Sequence, residues 1–148
     1  MKELIEIVWN NRDLLKERKY SDAVKSTLEK LNKGEIKVAE KIDSKWIVNE
    51  WVKKAVILFF PLMEMKTIEL GPFEFHDKIK LKTNYKKQGV RVVPHAIARY
   101  GSFIHKGVVL MPSYENIGSN IGSGTMIYTW ATVGSCAQIG KNVHISGG

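Results

Sequence analysis

Apolar residues recur every six positions from Ile97 onward. The units read Ile97-Ala-Arg-Tyr-Gly-Ser, Phe103-Ile-His-Lys-Gly-Val, Val109-Leu-Met-Pro-Ser-Tyr, Glu115-Asn-Ile-Gly-Ser-Asn, Ile121-Gly-Ser-Gly-Thr-Met, Ile127-Tyr-Thr-Trp-Ala-Thr, Val133-Gly-Ser-Cys-Ala-Gln, Ile139-Gly-Lys-Asn-Val-His and Ile145-Ser-Gly-Gly. The first position is apolar in eight of these nine units, and Glu115 is the exception. The fifth position holds Gly101, Gly107, Ser113, Ser119, Thr125, Ala131, Ala137 and Val143, all small or β-branched. Ordinary antiparallel strands alternate with period two and do not hold a period of six over about fifty residues. The repeat therefore predicts a parallel β-helix. Each unit makes a short strand and a bend, and three units close one coil of a triangular prism. The first residue of each unit points inward and stacks on its equivalents above and below. Residues 97–114 and 115–132 make two coils, and 133–148 is two residues short of a third. The expected end column, Ile127, Val133, Ile139 and Ile145, lacks the polar cap of a solenoid. That reads as a fragment of a longer protein or the product of a truncated gene. Glu115 is either turned outward at a distorted corner or buried beside a partner.

The first third has helical spacing. Leu4, Ile5, Val8, Trp9, Leu14 and Leu15 form an amphipathic stripe. Ser21-Asp22 is the expected N-cap of a second helix, with Val24, Leu28 and Leu31 on one face and Gly34 as its stop. Ile36, Val38 and Ile42 alternate as in a short strand. Val48, Trp51, Val52, Ala55, Val56 and Phe59 return to helical spacing, and Pro61 ends that helix. Trp46 and Trp51 are expected core anchors. Residues 62–84 read as a strand-and-loop link, and Val90-Arg-Val-Val-Pro94 leads into the first coil.

Charge narrows the partners. The net charge of +8 divides into 20 Lys/Arg against 14 Asp/Glu over residues 1–96, and 3 against 1 over 97–148. Bases and acids are mixed, without the Lys/Arg cluster and interleaved aromatics that grip phosphates. No nucleic-acid partner is expected; the basic excess reads as a solvated surface, or one suited to an acidic metabolite. One cysteine, Cys136, excludes an intramolecular disulfide and agrees with a reducing, cytoplasmic setting. The start is no secretory signal, and the longest apolar stretch, Ala55–Met63, is too short to span a bilayer.

Several segments carry a resemblance. They are Val38-Ala-Glu-Lys-Ile-Asp, Trp51-Val-Lys-Lys-Ala-Val, Arg91-Val-Val-Pro, Val109-Leu-Met-Pro-Ser-Tyr and, most specific, the stretch from Thr129-Trp-Ala-Thr-Val-Gly-Ser-Cys to Ile145-Ser-Gly-Gly. Together they resemble the tetrahydrodipicolinate N-succinyltransferases of bacterial lysine and diaminopimelate synthesis. The resemblance implies an α+β fold: a small helical N-terminal domain followed by a left-handed parallel β-helix. The expected division is 1–88 for the mostly helical domain and linker, and 89–148 for about three coils. It further implies a CoA-dependent acyltransferase with succinyl-CoA as co-substrate, a small dicarboxylate acceptor, no permanently bound cofactor or metal, and homotrimers with active sites between neighbouring prisms. Arg91 matches an arginine that binds a substrate carboxylate, for which a planar bidentate donor is well suited. Tyr128 stands where the family carries a substrate-binding and catalytic aspartate. A phenol of ordinary pKa near ~10 is a poor base at neutral pH.

Other chemistry weighs less. His144 is a candidate base or a structural histidine at a bend. His76, His95, His105 and His144 have no zinc spacing. Ser123-Gly-Thr and Gly147-Gly148 read as turn glycines. An acyltransferase with Arg91 on the substrate therefore stands beside two alternatives: a catalytically inactive remnant or oligomerisation partner, motivated by Tyr128, and transfer of a different acyl group such as acetyl.

Overall fold

The computed structural model describes residues 1–147, so Gly148, the last residue of the long motif, lies outside the described residues. Helix α1 (Lys2–Asn10) leads through a 3-10 turn (Arg12–Lys16) to helix α2 (Arg18–Asn32). The hairpin of β1 (Ala39–Ile42) and β2 (Lys45–Val48) precedes helix α3 (Glu50–Phe59), which ends in a short 3-10 turn at Pro61. A second hairpin, β3 (Lys66–Leu70) and β4 (Phe73–Asp77), follows. A single helical turn, α4 (Tyr85–Gln88), then leads into the solenoid.

The helical stripes bury as their spacing dictates. Ile5 and Val8 of α1, Val24, Leu28 and Leu31 of α2, and Val52, Ala55, Val56 and Phe59 of α3 form one core. Helix α2 starts earlier than Ser21-Asp22 suggests. Its N-cap is Glu17, and the Ser21 hydroxyl donates back to the Arg18 carbonyl at 3.1 Å. That bond occupies the group that would otherwise cap a helix beginning there. Gly34 does stop α2. Its φ is +73°, and the amides of Gly34 and Glu35 bond the Leu31 and Lys30 carbonyls, the Schellman pattern.

Two expectations fail beside α3. Val48 belongs to β2 and not to the helix, because Asp43 and Ser44 take positive φ and fold 39–48 into a hairpin. Trp46 is 61% exposed on that hairpin and anchors no core, whereas Trp51 packs against the helical cluster.

Ten two-residue strands build a three-sided solenoid. They are β5 (Arg91–Val92), β6 (Ile97–Ala98), β7 (Phe103–Ile104), β8 (Val109–Leu110), β9 (Tyr114–Glu115), β10 (Asn120–Ile121), β11 (Met126–Ile127), β12 (Thr132–Val133), β13 (Gln138–Ile139) and β14 (His144–Ile145). They pair in parallel as β5-β8-β11-β14, β6-β9-β12 and β7-β10-β13, one set per face.

The frame of the repeat is corrected in the first coil. Ala98, Ile104 and Leu110 are buried inside the prism, while Ile97, Phe103 and Val109 are only half-buried on its outside. From Glu115 onward the inward residues fall where the six-residue reading puts them. The unit from Leu110 to Glu115 has five residues, so Val109 pairs with Met126, 17 residues on, while Met126 pairs with His144, 18 on. The Ser113 hydroxyl closes this short bend on the Met111 carbonyl at 2.6 Å and on Glu115 Oε1 at 2.7 Å. In the corrected frame every full unit from Ala98 onward puts its fourth residue in the left-handed region. These are Gly101, Gly107, Gly118, Gly124, Trp130, Cys136 and Asn142, with φ between +54° and +89°.

The solenoid and helical domain interlock. Ile117 and Cys136 pack into the helical cluster. The Tyr100 hydroxyl donates to Glu29, Gly101 N–H to Asn32 Oδ1 at 3.2 Å, and Lys82 Nζ to the same oxygen at 2.7 Å. Arg99 pairs with Asp77.

Candidate functional site

The outward side chains of the β5-β8-β11-β14 face form a row: Arg91, Val109, Met126 and His144. Arg91 is exposed at the foot of this row. Tyr128 lies at the corner just past β11, where its N–H bonds the Ile145 carbonyl at 2.9 Å. Its ring is 39% exposed and tilts against His144 at 5.7 Å. Arg91 and Tyr128 thus belong to one face and its edge, about two rungs or ~10 Å apart along the stack. They share no contact. His144 points outward beside Tyr128 and is exposed. Cys136 sits at a bend, and burial pushes its thiol up from the ordinary value. Among the described residues, no three His, Cys, Asp or Glu side chains come together to hold a metal ion.

Beyond Tyr128 the corner opens into a cleft of about 170 Å³ lined by His95, Ile97, Pro112, Tyr114, Trp130 and Thr132. Trp130 is 72% exposed, with its ring 5.5 Å from that of His95. Its φ is +64°. The left-handed region disfavours a bulky residue by ~1–2 kcal/mol. The sequence reading missed this cleft because its walls come from residues 95, 112 and 130, which only stacking brings together. The available signal was a tryptophan at a bend position that is glycine in four other units.

Glu115, left open between two placements, is fully buried inside the prism. It stands in the inward column, with Ala98 in the rung on one side and Val133 in the rung on the other. One carboxylate oxygen accepts from Ser113, and the other, Oε2, has no partner. Burial pushes its pKa up to about 7, against the opposing pull of the Ser113 hydrogen bond. It does not line the Trp130 cleft and belongs to the architecture of the column.

A polar cleft of about 280 Å³ lies at the junction of the domains, between Glu29 and Asn32 of α2, Lys80, Lys82 and Tyr100. Desolvation lowers the Lys82 pKa to about 8 there. Its ammonium also donates to the Asn32 carbonyl at 3.2 Å, at the end of α2, so its evident role is to tie the helix to the linker.

Comparison with known proteins adds to this geometry. Residues 1–62 match the family model described as tetrahydrodipicolinate N-succinyltransferase N-terminal. Three relatives carry the name 2,3,4,5-tetrahydropyridine-2,6-dicarboxylate N-succinyltransferase. The protein of Acinetobacter baylyi is 56% identical over 132 residues, which is 85% of this chain and 48% of the relative. That of Polynucleobacter asymbioticus is 54% identical over 157 residues, 98% of this chain and 57% of the relative. That of Idiomarina loihiensis is 46% identical over 158 residues, all of this chain and 58% of the relative. The chain spans about half the length of the curated relatives it matches.

Proposed function

We propose, of a chain that carries the N-terminal domain of the tetrahydrodipicolinate N-succinyltransferases and resembles them along nearly its whole length, that it forms the helical domain and first coils of such an acyltransferase. The observation that carries this reading is that resemblance, which runs through both domains. The acceptor is the amino group of the opened form of tetrahydrodipicolinate, and the donor is succinyl-CoA. The amine attacks the thioester carbonyl, the C–N bond forms and the C–S bond breaks. The proton shed by the amine ends on the departing thiol. With both reactants held, this transfer needs mainly orientation and a base. Arg91, exposed on its face, offers a bidentate partner to a substrate carboxylate. The Trp130–His95 cleft at the adjoining corner suits an apolar portion of either reactant. The assembly is a homotrimer acting in the cytoplasm, in lysine and diaminopimelate synthesis.

Tyr128 favours a second reading, an inactive copy that serves as an oligomerisation partner. A phenol donates a hydrogen bond but supplies no carboxylate to the amine. One assay separates the two readings: CoA release from succinyl-CoA with the cyclic dicarboxylate. The chain and its Tyr128→Asp variant are each joined in frame to the remaining coils of a relative. Restoring the carboxylate is expected to raise release by about 10²-fold or more. No release from either form ends the acyltransferase reading; a full rate with Tyr128 in place ends the inactive one.

A further inference from the structure

Lys82, in the linker between the β3–β4 hairpin and α4, is only 9% exposed. Its Nζ donates to the Asn32 carbonyl at 3.2 Å and to Asn32 Oδ1 at 2.7 Å. An ammonium brings three donors to these two acceptors, and its third hydrogen bonds no group among the described residues. A neutral amine fits the same place better: two hydrogens go to Asn32, and the lone pair takes the remaining tetrahedral position. Glu29, the carboxylate of the same cleft, is engaged elsewhere. It accepts from the Tyr100 hydroxyl and pairs with Lys33 at 3.2 Å. Desolvation therefore brings the Lys82 pKa down to about 8, against the weaker opposing pull of Glu29.

The amine borders the junction cleft of about 280 Å³. That space is too small for a whole CoA and suits the acyl end of a thioester. Lys80 lines the same cleft, with its ammonium 4.4 Å from the centre of the Tyr100 ring. A carboxylate at the far end of a short acyl chain would meet that cation.

We propose that Lys82 is a modification site, whose amine takes the acyl group of a carboxylate-ended acyl-CoA such as succinyl-CoA. The nitrogen lone pair attacks the thioester carbonyl, the C–N bond forms and the C–S bond breaks. The proton shed by the nitrogen goes to the departing thiolate. The product amide keeps one N–H for two acceptors, so acylation removes one of the two ties between Asn32 and the linker. The step uses neither Arg91 nor Tyr128 nor the cyclic dicarboxylate, so it stands apart from the acyltransferase reading.

The test is to incubate the chain with succinyl-CoA at about pH 8, without the dicarboxylate, and to follow each lysine by mass spectrometry of a digest. A group of pKa about 8 is half free amine there, ~10²-fold more than a lysine of ordinary pKa near ~10.4. The weaker base is the poorer nucleophile, which offsets part of this. Lys82 is expected to gain the succinyl group at least ~10-fold faster than the exposed Lys25 and Lys87. Between about pH 8 and pH 9.5 its rate should level off while theirs keep rising. Glu29, Lys33, Lys80 and Tyr100 are the ionisable groups around it. The Tyr100 bond holds Glu29 below its ordinary value, and burial with that same bond pushes Tyr100 up, so neither titrates in this range. Asn32→Asp keeps an acceptor for the Gly101 N–H and sets a carboxylate beside the amine. It should slow Lys82 about 10-fold or more and leave Lys25 and Lys87 unchanged. Glu29→Gln should speed Lys82, and replaces the first variant if that loses its helical circular dichroism. With acetyl-CoA the preference for Lys82 over Lys25 should shrink. Labelling of Lys82 no faster than that of the exposed lysines, a variant that labels as the parent does, or an equal preference with acetyl-CoA would each overturn the proposal. Turnover does not enter the measurement, so its outcome is independent of the enzymatic assay.

Discussion

Glu115 sets a pH dependence by itself. Its carboxyl is raised to about 7 in the fold by burial, against ~4.3 in an unfolded chain. Between those values the folded state holds the extra proton, so stability falls as pH rises from about 4.3 to about 7 and is level above that. The full cost above pH 7 is of order 3 kcal/mol. Glu115→Gln keeps an acceptor for Ser113 and removes the ionisation. Urea unfolding should show the variant more stable than the parent by roughly that amount at pH 8, and nearly equal to it at pH 4.5. An unchanged difference across that range would mean that the carboxyl is not ionising inside the prism. Arg91 belongs to the same scale. If it holds a substrate carboxylate, Arg91→Ala should raise KM for the dicarboxylate about 10- to 100-fold with kcat little altered. Steady-state kinetics on the chimera described above would separate the two constants.

At the scale of elements, the helices were legible and the hairpins were not. Stripes such as Val24, Leu28 and Leu31 repeat with the helical period because one face meets a core. The ribbons meet no core, so burial imposes no pattern on them, and β1–β2 mixes charged and apolar residues on both its faces. The solenoid was legible as a period but not in its frame. In the first coil both candidate positions are apolar, as in Ile97-Ala98, Phe103-Ile104 and Val109-Leu110, so apolarity alone does not choose between them. The bend glycines did hold the answer: Gly101, Gly107, Gly118 and Gly124 are spaced by six, eleven and six. Arg91 and Tyr128 were reached through resemblance, while the Trp130 cleft waited on which units stack. Gly34 offers a test of element junctions. Its φ is +73°, and a methyl group there would meet the Phe103 ring at 2.6 Å. Gly34→Ala should cost about 2 kcal/mol or more through backbone strain and the displaced ring. Chemical denaturation would measure this, and an unchanged midpoint would show the junction to be soft.

For the molecule as a whole, the helical core and the prism stand or fall together. The side chain of Leu28, fully buried in α2, reaches the bend at Gly101, where an added methyl would lie 3.1 Å from it. Ile117, on the next coil, closes the same contact. Leu28→Ala should therefore destabilise by about 2–5 kcal/mol. The loss should appear equally in the helical circular dichroism signal and in hydrogen exchange at the Asn120 and Gly122 amides, which bond to the Ala137 and Ile139 carbonyls. Exchange that stayed slow while the helices melted would mean two independent units. Among the described residues, no helix is long and apolar enough to cross a membrane.

The shortened bend at Pro112 and Ser113 decides where a guanidinium ends up. Counting back from Glu115 in uniform sixes would thread Arg91 into the greasy shaft and turn Val92 out to solvent. One missing backbone unit swaps the two, placing Val92 against Leu110 and freeing Arg91. The exposure of Arg91 is thus written more than twenty residues downstream of the arginine itself, in the length of a corner.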